Sequence, residues 1–278
     1  MRAVLTLLPY LLVSETPTIW NIGLGLTAEG FVRKLQWISL KAIDHVFIES
    51  EKQARRVFNK KRFAKHRHKF TIFHKGIDTS KFNPSQFESA GNHDQYRIGT
   101  AASITPRKGL IHLIDALPTI IDEHKNIELL IAGKTPKGNE AYRQRIEEKI
   151  RTLRIDEHIE FLGWVENMPY FLDSLDIFVL PSLNEGVPGA VREAMAMEVP
   201  TIATDVGGTA DLITNDDNGI LIQPKSSDEI SDAVITLLNH PEKRVTLGKR
   251  GRKTIKNRFS MESYIRDYEE FLTEINQS

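Results

Sequence analysis

Short apolar segments alternate with amphipathic segments along most of the chain after residue 95, and this alternation constrains the fold more than any other feature. Residues 126–132 (NIELLIA) and 177–181 (IFVLP) are apolar, whereas residues 140–153 between them show the charge spacing of a surface helix. Strands that alternate with helices form βαβ units, which build a parallel sheet with helices on both faces. The pattern therefore predicts an α/β fold.

A polar segment at residues 83–95 (NPSQFESAGNHDQ) is the best candidate for a linker between two such regions. We predict strands over residues 3–8, 42–49, 69–73, 96–102, 126–132, 158–162, 177–181 and 200–203. We predict helices over residues 52–58, 110–124, 140–153, 168–174, 189–197, 227–239, 242–257 and 261–275.

Two absences from the sequence exclude several classes of protein. The 278 residues contain no cysteine, which rules out a disulfide framework, a cysteine-ligated metal and a thiol nucleophile. No apolar run reaches the roughly 18 residues that a membrane-spanning helix needs. The longest run, at residues 3–13, is broken by Pro9 and lacks a cleavage site after it. We expect a cytosolic protein.

The net charge of zero hides an uneven distribution of charge. Residues 1–84 contain 15 Lys and Arg against 6 Asp and Glu, and the rest of the chain has the opposite excess. Many of the basic residues lie between Glu51 and Lys75. Such a stretch is most often a solvated surface; otherwise it favours an anionic membrane surface over nucleic acid, because no nucleic-acid-binding motif accompanies it.

The loop after the strand at residues 96–102 is the first candidate site. It reads SITPRKGL and leads into a helix, and phosphates bind at such junctions in doubly wound sheets, where free N–H groups and the helix dipole favour an anion. Arg107 and Lys108 would add charged hydrogen bonds. The alternative is an ordinary basic surface turn.

Two glutamates flank a glycine-rich turn in the second candidate site. Glu185 ends the loop after a buried strand, Glu193 lies within the next helix, and seven residues separate them. The turn lets backbone N–H groups approach a ligand, and Glu193 could accept hydrogen bonds from paired ribose hydroxyls. The alternative is an ion pair, with Arg192 as the partner of Glu193.

A third candidate site is the glycine pair Gly207 and Gly208, which follows the strand at residues 200–203. Such a pair fits a second anion or hydroxyl site and an ordinary turn equally well.

The segment at residues 181–208 closely resembles the retaining glycosyltransferases of the GT-B fold, family four. It contains their pair of glutamates separated by seven residues around a glycine-rich turn, followed by the VPTIATDVGG segment. Residues 105–109, 161–163 and 75–78 extend the resemblance, which covers nearly all of the chain from Lys41. It implies two Rossmann-like domains with parallel sheets facing a cleft.

The resemblance also implies a role for each site residue. Lys108 would hold the donor diphosphate, Glu185 would lie beside the donor sugar and reaction centre, and Glu193 would bind the ribose hydroxyls. The turn would contact sugar and phosphate through N–H groups, and Trp164 and Val165 would frame the nucleobase. The expected catalytic residues are Glu185 and Lys108, and the expected donor-binding residues are Ser103, Arg107, Lys108, Trp164, Val165, Glu185, Gly186, Val187, Pro188, Gly189 and Glu193.

The donor would be a UDP- or GDP-linked sugar, and neither a metal nor another cofactor is expected, in keeping with the absence of an Asp-x-Asp motif. Positive charge and the helix dipole would stabilise the departing nucleoside diphosphate instead.

Two positions depart from the family pattern. Ser103 stands where the family usually has an arginine five residues before the phosphate lysine, and we expect Arg107 to supply that charge. Lys75 replaces the usual asparagine before the Gly-Ile-Asp turn.

The N-terminal portion is also about half as long as the family's acceptor-side domain. We therefore expect residues 1–84 to form a partial N-terminal domain that begins at a strand near Ala3, residues 85–260 to form the donor-binding domain, and residues 261–278 to form a helix that returns toward the first domain.

We expect this chain to transfer a sugar from a nucleotide-sugar donor to a glycan or lipid-linked acceptor, with retention of anomeric configuration. The alternatives are a non-catalytic protein that binds nucleotide sugars, and another GT-B enzyme such as an epimerase. Donor turnover with an acceptor separates the first alternative from an enzyme, and release of nucleotide without transfer indicates the second.

Overall fold

The fold consists of two parallel sheets with their covering helices. The structure is a computed structural model that describes residues 18–21, 43–58, 60–87 and 95–277. The strands are β1 (Ile19–Asn21), β2 (His45–Ile48), β3 (Phe70–Ile72), β4 (Tyr96–Ala101), β5 (Ile127–Ala132), β6 (Ile159–Gly163), β7 (Ile177–Leu180), β8 (Thr201–Thr204) and β9 (Ile220–Ile222).

The helices alternate with these strands in the second half of the chain. They are α1 (Glu51–Phe58), α2 (Lys60–Lys65), α3 (Leu110–Glu123), α4 (Glu140–Leu153), α5 (Met168–Asp173), α6 (Gly189–Ala196), α7 (Thr209–Leu212), α8 (Ser227–Asn239), α9 (Pro241–Arg258) and α10 (Met261–Gln277). Within the part of the chain that the structure describes, no helix is both long and apolar enough to cross a membrane.

The described residues divide into two compact units. One comprises the residues up to Gly76 together with those from Glu262 onward, and the other is Ile77–Met261. The boundary expected after residue 84 lies within the second unit, and α10 belongs almost entirely to the first unit. The strand expected at residues 3–8 and part of the expected linker lie outside the described residues.

The first unit contains a three-stranded parallel sheet in the order β1-β2-β3. Successive side chains of a strand point to opposite faces, and β2 is covered on both. Val46 and Ile48 are buried in one core cluster, whereas Phe47 contacts α10, with its ring centroid 4.9 Å from that of Phe271.

The second unit contains a six-stranded, fully parallel sheet in the order β6-β5-β4-β7-β8-β9. Its central strand β7 shows why the apolar run at residues 177–181 predicts a buried strand. Ile177 and Val179 are buried in the core on one face, and Phe178 and Leu180 are buried in the core on the other. Helices cover both faces, as parallel sheets require.

The predicted α/β class and parallel sheets are confirmed, and α4 and α8 have the predicted bounds. Strand β9 was absent from the predicted elements. Its three residues are too few to show a period, and they gain their place by pairing with β8.

Candidate active site

The candidate site lies at the carboxyl edge of the six-stranded sheet, around the neighbouring strands β4 and β7. The chain leaves β4 toward α3 and leaves β7 toward α6, and the strand order reverses between β4 and β7. Ligands of doubly wound folds bind in the crevice at such a reversal. The loops that follow these two strands carry Lys108 and Glu185.

Lys108 and Glu185 form a buried ion pair. The Lys108 Nζ donates to Glu185 Oε1 at 2.5 Å, although 77 residues separate them in the sequence. The Lys108 side chain is 16% exposed and that of Glu185 only 4%. A buried carboxylate requires partners that offset its lost hydration, so this loop geometry depends on the pair.

Ser182 and Arg107 complete the environment of Glu185. The Ser182 hydroxyl donates to Glu185 Oε1 at 2.6 Å. Arg107 Nη1 lies 3.5 Å from Glu185 Oε2 and donates to the Asn184 carbonyl at 2.7 Å. The two cations outnumber the single carboxylate, which leaves the cluster with a positive charge that suits an anionic ligand.

Ser182 is held in turn by the next strand of the sheet. The Thr204 hydroxyl donates to the Ser182 carbonyl at 2.5 Å. Sequence reasoning missed both residues. The signal that could have found Ser182 is its place at the end of a buried strand, three residues before a glutamate.

The glycine-rich turn leads directly into α6. Pro188 precedes the helix, and no side chain caps the helix N-terminus. The first N–H groups of a helix have no partner within it and carry partial positive charge. The turn and the start of α6 therefore offer backbone donors to an anion.

Glu193 projects from α6 into a cavity of about 490 Å³. Burial raises the pKa of the Glu193 carboxyl above its ordinary value, against the opposing effect of the Arg192 and Lys81 charges. The charged carboxylate is thus incompletely solvated, and ligand hydroxyls that donate to it would stabilise that form.

The same cavity brings together Ser103, Trp164 and Val165, which the sequence placed in three separate segments. Its walls are mainly apolar: Ala101, Ala102, Ala132, Val165, Met168 and Ala190. Trp164 is 67% exposed, which leaves its ring available for stacking. Lys134 also lines the cavity, and sequence reasoning missed it.

The predicted site residues therefore fall into two groups. Arg107, Lys108 and Glu185 form the ion cluster, whereas Ser103, Trp164, Val165 and Glu193 line the cavity. The turn from Gly186 to Gly189 connects Glu185 to α6. Among residues 18–21, 43–58, 60–87 and 95–277, no group of three or more His, Asp or Glu side chains could hold a metal ion.

The family model of the glycosyl transferases group 1 matches residues 82–254. The chain therefore belongs to this family, and its fold is that of the GT-B glycosyltransferases. Among solved structures, this chain is similar to Anabaena HepE in complex with UDP, with a TM-score of 0.84 and 19% sequence identity. The match covers 98% of this chain and 76% of the HepE chain.

Two curated relatives illustrate the range of the family. The capsular polysaccharide biosynthesis glycosyltransferase CapM of Staphylococcus aureus is 29% identical over 60% of this chain and 43% of its own length. A GDP-mannose-dependent phosphatidylinositol monomannoside mannosyltransferase of Mycobacterium tuberculosis is 28% identical over 65% of this chain and 49% of its own length. The chain thus spans about half the length of the curated relatives it matches.

Proposed function

We propose that this chain transfers a sugar from a UDP- or GDP-linked donor to a glycan or lipid-linked acceptor, with retention of anomeric configuration. The observation that carries the proposal is the Lys108–Glu185 ion pair beside the open N-terminus of α6. The names of the relatives support the donor class, since HepE is described in complex with UDP and the mycobacterial enzyme as dependent on GDP-mannose.

The cluster and the helix would act on the diphosphate end of the donor. Lys108 donates to the phosphate oxygens, Arg107 adds charge, and the N–H groups from Gly186 to Gly189 approach the phosphate and sugar. When the glycosidic bond to the donor breaks, the leaving diphosphate gains negative charge, and these fixed groups stabilise it in place of a metal ion.

Glu185 and the cavity would hold the rest of the donor. Glu185 lies beside the sugar, Glu193 accepts hydrogen bonds from the ribose hydroxyls, and Trp164 and Val165 frame the base. Ser103 lines the cavity at the position where the family usually has an arginine. Arg107, in the ion cluster, supplies the positive charge that Ser103 lacks.

Calorimetric titration with UDP, GDP and ADP, each without metal, tests the proposal. We expect the chain to bind UDP or GDP, Lys108→Ala to abolish the binding, and Glu193→Ala to weaken it about tenfold through the lost charged hydrogen bond. Failure to bind any of the three would contradict the proposal. Binding without release of nucleotide from the donor, whatever acceptor is added, would favour a protein that binds nucleotide sugars without catalysis.

The basic stretch from Glu51 to Lys75 supports a lipid-borne acceptor. Lys52, Lys60, Lys61 and Lys65 are exposed in this stretch, whereas Arg55 and Arg67 pair with Glu51. Each exposed lysine near an anionic lipid surface would contribute about 1 kcal/mol. We therefore expect the chain to associate peripherally with such a surface.

Co-sedimentation with vesicles of anionic and of neutral lipid tests this association. We expect binding to anionic vesicles only, and a loss of binding as added salt screens the charges. Binding that is insensitive to salt, or absent at low salt, would contradict the electrostatic association.

A further inference from the structure

Lys134 is the one ammonium group among the described residues that line the cavity. Its Nζ lies 5.8 Å from the centroid of the Trp164 ring, within the range of a cation–π contact. Among the residues that the structure describes, no carboxylate lies within salt-bridge distance of it. The cavity therefore combines an apolar wall, an exposed indole and a hydrogen-bond donor beside that indole.

Lys134 and the residues of the ion cluster follow different strands of the sheet. Lys134 follows β5 and Trp164 follows the edge strand β6, whereas Lys108 follows β4 and Glu185 follows β7. The Ile104 N–H donates to the Lys134 carbonyl at 3.0 Å, which fixes the start of this loop against the loop after β4.

The chemistry of a nucleoside diphosphate matches this order. Its diphosphate suits the cationic cluster and the start of α6, and its flat, weakly polar base suits the apolar wall and Trp164. Lys134 then faces the edge of the base instead of the phosphates.

We infer that Lys134 donates a hydrogen bond to a carbonyl oxygen of the donor base and thereby selects bases that carry an oxo group. A lysine ammonium has three donors and no acceptor. Guanine presents O6 as an acceptor, and uracil, like thymine, presents O4, whereas adenine and cytosine present an amino donor at the equivalent position. The inference rests on the proposed function, since it assumes a nucleotide-linked donor.

The test measures the dissociation constants of UDP and CDP, and of GDP and ADP, for the intact chain and two variants. Lys134→Met removes the donor at an exposed position, where the fold does not depend on it. Lys137→Met removes an exposed lysine of the same loop that does not line the cavity. We expect an oxo-base preference of about tenfold in at least one pair, the effect of one hydrogen bond. Lys134→Met should lose it and Lys137→Met should keep it.

The remaining outcomes overturn the inference in distinguishable ways. If Lys134→Met weakens all four nucleotides by the same factor, the ammonium acts on the diphosphate. If the preference is absent, or unchanged in Lys134→Met, the base is read elsewhere, while nucleotide binding lost in Lys108→Ala still supports the proposed function. If no nucleotide binds, the proposed function fails and the inference fails with it.

Discussion

Replacing Lys108 with alanine is expected to lower the free energy of unfolding by about 3 kcal/mol, because it leaves the buried Glu185 carboxylate without its nearest cation. The expected loss is at the lower end of the cost of breaking a buried ion pair, since Arg107 still approaches the other carboxylate oxygen. Urea-induced unfolding followed by circular dichroism measures the change. We also expect donor turnover to fall by a factor of at least about 10² to 10³, since the loss of nucleotide binding adds to the usual cost of removing one preorganised donor to a developing charge.

A matched control comes from a salt bridge on the outer side of the same unit. Lys149 Nζ lies 2.6 Å from Asp115 Oδ1, with both side chains far more exposed than those of the buried pair. Lys149→Ala should cost less than about 1 kcal/mol, since exposed pairs contribute little. If Lys108→Ala unfolds no more easily than Lys149→Ala, the buried pair is not what holds the loop.

A double variant separates the structural role of the pair from its role in catalysis. Lys108→Met with Glu185→Gln removes both charges, so that no unpaired charge remains buried and most of the lost stability should return. Turnover should stay low, because the diphosphate still lacks its lysine. A double variant that recovers turnover together with stability would show that the pair is only structural.

The sequence predicted the sheet well because burial leaves a local signal. Ile177, Phe178, Val179 and Leu180 are adjacent and all apolar, which is what a strand covered on both faces requires. Strand β9 gave no comparable signal. Its three residues follow a polar turn, and pairing with β8 determines their conformation.

The site was predictable only where the family resemblance reached it. No local pattern indicates that Lys108 contacts Glu185 across 77 residues. From spacing alone, the loop of Lys108 could be an ordinary basic turn, and the glutamates could belong to an ion pair on the helix. Ser182, Thr204 and Lys134 were not among the predicted site residues, because their roles depend on neighbouring strands of the sheet. Hydrogen bonds between adjacent strand ends are set by the order of the strands, which no single segment of sequence contains.

Gly207→Ala is expected to lower the free energy of unfolding by about 2–4 kcal/mol through backbone strain combined with a steric clash. Gly207 has φ +59°, a conformation that disfavours a side chain, and an added Cβ would meet the Glu185 carbonyl carbon at 2.7 Å and the Gly186 oxygen at 2.8 Å. The Glu185 carbonyl oxygen would be closer still. The glycine pair of this turn therefore packs directly against the backbone that carries Glu185.

The clash should lower the catalytic rate as well as the stability. Relieving it requires the loop from Glu185 to Gly186 to move, and the N–H of Gly208 donates to the Gly186 carbonyl at 2.5 Å, so the two loops shift together. A displacement of about 1 Å at a reacting group costs about 10²-fold in rate, which we expect in kcat for donor turnover.

Gly138→Ala is the control, because Gly138 has φ +87° but no atom within 4 Å of an added Cβ. It should cost about 1 kcal/mol of strain and leave kcat unchanged. Equal losses of stability and kcat in the two variants would show that strain alone, without contact to the Glu185 loop, accounts for the effect of Gly207→Ala.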